Sequence, residues 1–247
     1  MINKVIKWGS AWVALKAMRV FSRYYMKDDA WKREMKGKPR LLNRVDHLLQ
    51  LVQGKNVWHF GFADAPFTEK RVQDKKLLHM RMQAVAQDVY GLDYDADAVA
   101  LYTRLTGDAH VQVFDLMDAG AAVPAGIPAP DLVLLGEVME HLPDPMVALQ
   151  NLHRLLPASA QLVVTVPNVF ALQNFAAAVQ HYESVHPDHY WYYSPFTFGK
   201  LAGLCGFTVI QTDFGMYYGQ GTQPNSLLAG NAWLGDCLIM VLEKIKN

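Results

Sequence analysis

The chain has 247 residues, about half of them hydrophobic and a fifth charged, with no formal net charge. That size and balance suit one soluble α/β domain with additions and exclude a disordered or collagen-like chain. No stretch reaches the ~18 apolar residues of a membrane span, the N-terminus lacks a signal core, and two cysteines cannot frame a disulfide scaffold or zinc site, so a reducing cytoplasm is expected.

Charge is unevenly spread. Residues 1–40 hold eleven Lys/Arg against Asp28, Asp29 and Glu34, which leaves the remainder acidic. Within 1–27, Val5, Trp8, Trp12, Leu15, Met18 and Phe21 recur at helical spacing among Lys4, Lys7, Lys16, Arg19 and Arg23. A basic amphipathic helix of this kind has three readings: a lid, a peripheral membrane contact, or a homodimer contact. Nucleic acid is not an expected partner, since the rest of the chain is acidic and carries no reader motif. Residues 28–40 form a connector ending at Pro39, and Leu41 to Gln53 reads as a second amphipathic helix stopped by Gly54.

Strand–helix alternation then begins. Val57–Phe60 is a first strand, followed by a polar segment and a helix from Val72 to Ala86; Lys70, Arg71, Lys75 and Lys76 form a solvated face or a lid. Val89–Asp93 is a second strand and Asp97–Leu105 a helix; Val111–Asp115 is a third strand. Asp131–Leu135 is an unbroken apolar run, the mark of a strand buried on both faces of a parallel sheet. Pro143-Asp144-Pro145 opens the helix Met146–Leu156, and Leu162–Pro167 is a fifth strand. Ala171–His181 and Phe196–Cys205 read as helices, Phe207–Phe214 as a sixth strand and Asp236–Glu243 as the last. The order implies a doubly wound, mostly parallel α/β sheet with helices on both faces, spanning 55–247 after an N-terminal helical extension, 1–54.

In such sheets ligands gather at the C-terminal strand ends. There the sequence places Gly61 with Asp64, then Asp93, then Asp115, then Glu137, a pattern suited to a nucleoside-bearing ligand. A glycine lets backbone approach the ligand, and a carboxylate accepts from both ribose hydroxyls. A dinucleotide dehydrogenase is disfavoured, because Gly61 stands alone and Asp93 lies thirty-two positions beyond it.

The segments His59-Phe60-Gly61-Phe62-Ala63-Asp64, Gly91-Leu92-Asp93-Tyr94, Phe114-Asp115-Leu116 and Gly136-Glu137-Val138-Met139-Glu140-His141 together resemble the class I S-adenosylmethionine-dependent methyltransferases, over about residues 55–243. The resemblance implies a seven-stranded Rossmann-like sheet with an antiparallel last strand and S-adenosylmethionine as cofactor. It implies that Asp93, with Tyr94 beside it, binds ribose, that Asp115 and the Leu116 amide bind adenine, and that His59, Gly61, Ala63, Asp64, Gly136, Glu137 and Val138 border the cofactor. The first motif departs from the family pattern: His59 stands for an acid, and Ala63 and Ala65 for glycines. Either Asp64 takes over the methionine ammonium group, or the pocket is damaged and the chain is a non-catalytic cofactor-binding module.

Methyl transfer to a hydroxyl needs an aligned acceptor and removal of its proton, for which histidine is well suited near neutral pH. His141 beside the fourth motif and His186 and His189 in the aromatic loop are the candidates, with Tyr217, Tyr218, Gly219 and Trp233 as further pocket wall or core. His186, Asp188 and His189 are also potential metal ligands, but no fourth ligand is evident and no metal is assigned. The expected reaction is O-methylation of a small molecule, such as a sugar or lipid-linked glycan.

Overall fold

Eight strands form one sheet in the computed structural model, which describes residues 38–123, 125–217 and 231–245. In chain order these are β1 (Leu41–Asn43), β2 (Asn56–Phe60), β3 (Asp88–Asp93), β4 (Val111–Val113), β5 (Leu132–Gly136), β6 (Gln161–Pro167), β7 (Phe207–Met216) and β8 (Cys237–Lys244). Their order across the sheet is β1-β7-β8-β6-β5-β2-β3-β4. Strands β2 to β6 pair in parallel, while β8 runs antiparallel between β6 and β7. This is the expected α/β class, with one strand more than the seven anticipated.

The additional strand is β1, where the sequence reading has a helix beginning at Leu41. It pairs in parallel with Phe214–Met216 of β7. The helix α1 (Arg44–Val52) starts only after it, because the Asn43 side chain accepts from the Asp46 N–H at 3.1 Å and caps the first turn. Leu48 and Val52 of α1 are buried in the same cluster as Val57, Leu132, Leu134 and Ile239, so α1 covers one face of the sheet.

Between β2 and β3 the expected single helix is two short ones, α2 (Thr68–Gln73) and α3 (Leu78–Gln83). Lys75 takes a left-handed turn (φ 53°) and the chain straightens at Leu77, whose side chain is buried with Phe62, Ala63, Ala98 and Tyr102. Burying that leucine outranks continuing the helix. The remaining helices start and stop on local chemistry. In α4 (Ala96–Thr106), Asp95 caps the Ala98 N–H and Gly107 ends the helix at φ 72°. In α5 (Pro145–Leu155), Asp144 caps the Met146 N–H ahead of Pro145. Helix α6 (Leu172–Val179) leads into the aromatic loop, and α7 (Pro195–Leu204) opens with a Ser194/Thr197 capping box.

Leu132, Val133, Leu134 and Leu135 are all fully buried, as the unbroken apolar run of β5 requires. With β2 and β6 alongside in parallel, the tips of β5, β2, β3 and β4 align along one sheet edge. The first 37 residues, and with them the basic helix and its lid, membrane and dimer readings, lie outside the described residues. No helix among the described residues is long and apolar enough to cross a membrane.

The edge strand β1 is fastened by Asp213, which is almost fully buried. Its carboxylate accepts from the Arg40 backbone N–H (3.0 Å), Arg40 Nε (3.1 Å) and Nη2 (2.6 Å), and Gln211 Nε2 (2.6 Å). Asp213→Asn is expected to destabilise the chain by about 1–3 kcal/mol, the cost of disrupting hydrogen bonds to a buried charged group. Urea unfolding of both proteins measures it, and coincident midpoints would show that β1 is held by its ladder alone.

Candidate functional site

The tip of β2 turns through Gly61, whose φ of 67° suits glycine, and the tip of β5 packs directly on it. A Cβ at Gly61 would collide with the Val138 side chain, so the first and fourth motifs are in contact. His59, one residue before Phe60, is only 3% exposed, and its Nδ1 lies 3.3 Å from Nδ1 of His79 on α3. Asp108 lies 3.7 Å from His79 Nε2, which favours the proton there and leaves His79 Nδ1 to accept from His59. Burial holds His59 well below the usual histidine range, reinforced by His79, and burial also lowers His79. The acid position of the first motif is thus occupied by half of a neutral imidazole pair.

Asp93 ends β3 and is 7% exposed. Its Oδ2 accepts from the Ala63 N–H at 3.0 Å and its Oδ1 from the Asp95 N–H at 3.1 Å, so the second motif holds the first in place. Burial pushes the carboxyl up, and the Ala63 and Asp95 amides pull it back. Tyr94, 77% exposed, stands beside it. After β4 the Asp115 side chain is exposed and accepts from the Met117 N–H, while Leu116 is buried with its carbonyl accepting from Asn151. Asp64 has φ 55° and pairs with Arg71 at 2.9 Å; burial raises its carboxyl against that pairing. A tethered, buried carboxylate next to an exposed ring, with an exposed acid one strand further on, suits the ribose and base of a nucleoside.

Glu137 sits at the tip of β5 with φ 60°. Its Oε1 accepts from the Thr165 hydroxyl (2.7 Å) and lies 3.4 Å from Arg44 Nε, and its Oε2 accepts from the Tyr217 hydroxyl (2.5 Å). Burial opposes charge on Arg44, but Glu137 and smaller contributions from Cys237, Tyr217 and Glu140 together outweigh it and the guanidinium stays protonated. Burial and the Glu137 charge push the Tyr217 phenol far up, so it remains a donor. Gly136 leaves room for this arrangement, since a Cβ there would lie 3.0 Å from Arg44 Nη2.

Beyond Glu137, a single turn from Met139 to His141 carries Glu140, fully buried with neither carboxylate oxygen bonded to another group among the described residues. Burial and the neighbouring Glu137 raise its carboxyl well above the usual range. The aromatic loop is strapped to this turn: the Tyr190 N–H donates to Glu140 O and Trp191 Nε1 to Leu142 O, both at 2.8 Å, and the Tyr193 hydroxyl to Met139 O at 3.3 Å. The strap brings together all three expected histidines. The His141 ring centroid lies 5.8 Å from that of His186 and 4.6 Å from that of His189, and the latter two are 5.2 Å apart. Burial lowers both His141 and His189. They line a cavity of about 270 Å³ shared with Glu137, Glu140, Tyr192, Tyr217, Asn168, Gln173, Asn174 and Ser184.

Tyr217 therefore belongs to the cavity wall, whereas Trp233 packs on Phe170 and Phe214; Tyr218 and Gly219 lie outside the described residues. Sequence reasoning missed Arg44, Thr165 and Glu140 as site residues. Glu140 stood within the quoted motif; Arg44 and Thr165 give no sequence signal, because only the sheet order brings them to Glu137.

A family profile for a methyltransferase domain matches residues 38–212. Among solved structures, an S-adenosylmethionine-dependent methyltransferase from Archaeoglobus fulgidus superposes with a TM-score of 0.52 at 15% identity, covering 81% of this chain and 91% of that one. Magnesium protoporphyrin IX methyltransferase from Synechocystis with bound S-adenosylhomocysteine gives 0.51 at 16% identity, covering 81% and 82%. The N-methyltransferase NodS from Bradyrhizobium japonicum in complex with S-adenosylhomocysteine gives 0.50 at 16% identity, covering 82% and 86%. No curated protein sequence matches the chain.

Two outcomes follow from this geometry. Glu137→Ala leaves the Arg44 guanidinium buried without its carboxylate and should cost about 3–5 kcal/mol in chemical denaturation. For the imidazole pair, the folded chain binds a proton less readily than the unfolded one, so stability is full above the unfolded pKa near 6.5 and is lost as pH falls below it. Each histidine contributes a slope of about 1.4 kcal/mol per pH unit there. Unfolding free energies between pH 7 and 5 should show a slope shallower by about that amount in His59→Asn; an unaltered slope would mean that His59 is protonated in the folded state.

Proposed function

Since this chain belongs to the methyltransferase domain family, we propose that it transfers a methyl group from S-adenosylmethionine to an oxygen of a small polyhydroxylated acceptor, such as a sugar or lipid-linked glycan. The observation that carries this reading is the cavity beyond the tip of β5, which Glu137 lines together with three convergent imidazoles. When bound, the cofactor supplies a methyl already activated on a sulfonium, and loses it to leave a neutral thioether.

The residues of the chain then have alignment and proton removal left to perform. Asp93 retains lone pairs beyond those given to Ala63 and Asp95, enough to accept from two ribose hydroxyls. Asp115 and the Leu116 amide take the base edge. Glu137, immobilised by Thr165, Tyr217 and Arg44, fixes the boundary between donor and acceptor. Gln173, Asn174 and Ser184 offer polar groups to a hydroxylated acceptor, and Tyr192 a ring on which a sugar face can stack. Loss of the acceptor proton falls to the cluster of His141, His186 and His189. Ala63 and Ala65 favour a second reading, a non-catalytic cofactor-binding module, and incorporation of labelled methyl into a hydroxylated acceptor separates the two.

S-adenosylhomocysteine should raise the melting temperature by mass action. Calorimetric titration should find its affinity about 10-fold weaker in Asp93→Asn, which keeps one oxygen for the Ala63 amide, gives up the bond from the Asp95 amide and removes the charge. Equal affinity in the two proteins would remove Asp93 from the ribose site.

A further inference from the structure

Three imidazoles converging at one wall of a cavity invite a cation. The ring nitrogens that His141, His186 and His189 can offer lie within 4.8 Å of one another, close enough to meet on a single ion. Three histidines with an open position are a recurrent donor set for zinc and its first-row neighbours, for which imidazole is a well-matched ligand.

The surroundings hold the rings in place. The Asp188 backbone N–H donates to His186 Nδ1 at 3.3 Å, a long bond that the ion displaces to use that lone pair, and the Asp188 carboxylate lies 3.7 Å from the same nitrogen. The loop carrying His186 and His189 is tied to the turn carrying His141 by the Tyr190 amide and the Trp191 indole, so all three rings stand on one strapped unit.

We propose that His141, His186 and His189 bind one divalent first-row transition-metal ion. The binding site rests on the geometry of these residues; its use rests on the reading of the cavity as the acceptor pocket. With the ion bound, the three imidazoles act as its ligands in place of their role as base: the ion's open position takes the acceptor hydroxyl and lowers its pKa, so that its proton leaves to water. The oxygen lone pair then forms the new O–CH₃ bond as the C–S bond breaks with its electrons passing to sulfur.

The test uses the full chain, free of affinity tag and stripped with chelator. Zinc is titrated by calorimetry, and cobalt(II) is followed by its visible absorption, which reports nitrogen coordination. One equivalent of each should bind. His189→Ala and His186→Ala should weaken zinc by at least about 10-fold, the least that loss of even an outer partner costs, whereas His110→Ala, on the exposed Asp88 pair, should bind as wild type. Matched melting temperatures of the metal-free variants and wild type exclude unfolding as the cause. Zinc binding that is absent from wild type, or unchanged in His189→Ala, overturns the site. S-adenosylhomocysteine binding is read on the same samples. A chain that binds zinc without it keeps the metal site and loses the methyl-transfer reading; a chain that binds it without zinc does the reverse.

Discussion

The Glu137 carboxylate is the fixed point of this molecule. Three segments distant in sequence deliver a group to it: Arg44 after β1, Thr165 in β6 and Tyr217 after β7. A half-buried acid that must be satisfied in three directions sets the relative heights of these strand ends, and the penalty for leaving its guanidinium unpaired enforces the arrangement. On one side the Gly61–Val138 contact joins Glu137 to the first motif, and on the other the turn through Glu140 joins it to the histidines.

The first motif shows how a sequence can leave its family's pattern and keep the architecture. Where relatives carry an acid, His59 bonds to His79 in the interior, and a buried neutral pair takes up the volume. Asp93 secures the loop through the Ala63 amide, a bond made by the backbone and therefore indifferent to whether residue 63 is glycine or alanine. Loss of glycines consequently need not collapse the loop. Gly61, the one glycine that survives, is where both a left-handed backbone and a neighbouring side chain demand it.

Much of this was legible in the sequence. The apolar run of β5, the capped start of α5 and the alternation through β6 are local signals, and each matched the element formed, with ends displaced by a residue or two. The acidic strand tips were readable because topology alone brings them to one edge. Two errors had a common cause. Leu41–Asn43 carries helical periodicity but is drawn into the sheet by the exposed edge of β7 and the Asp213 staple, and Val72–Ala86 is broken because Leu77 is needed in the core. Both are tertiary demands that override local pattern. Arg44 escaped notice for the same reason: its importance depends on β1 being a strand. The convergence of His141 with His186 and His189 was also invisible, since it depends on hydrogen bonds from an aromatic loop some fifty residues away along the chain.

The straps from Tyr190, Trp191 and Tyr193 divide the cavity into two kinds of wall. The side bearing the histidines is bonded to the β5 turn and, through the Tyr192 hydroxyl, to Ser184, while among the described residues Gln173 and Asn174 on α6 make no hydrogen bond to that turn. Changes on α6 can reshape the chamber at the wall away from the straps. Diversification within a lineage would accordingly concentrate there, and exchanging residues 172–179 between cousins is the natural way to retarget the catalyst.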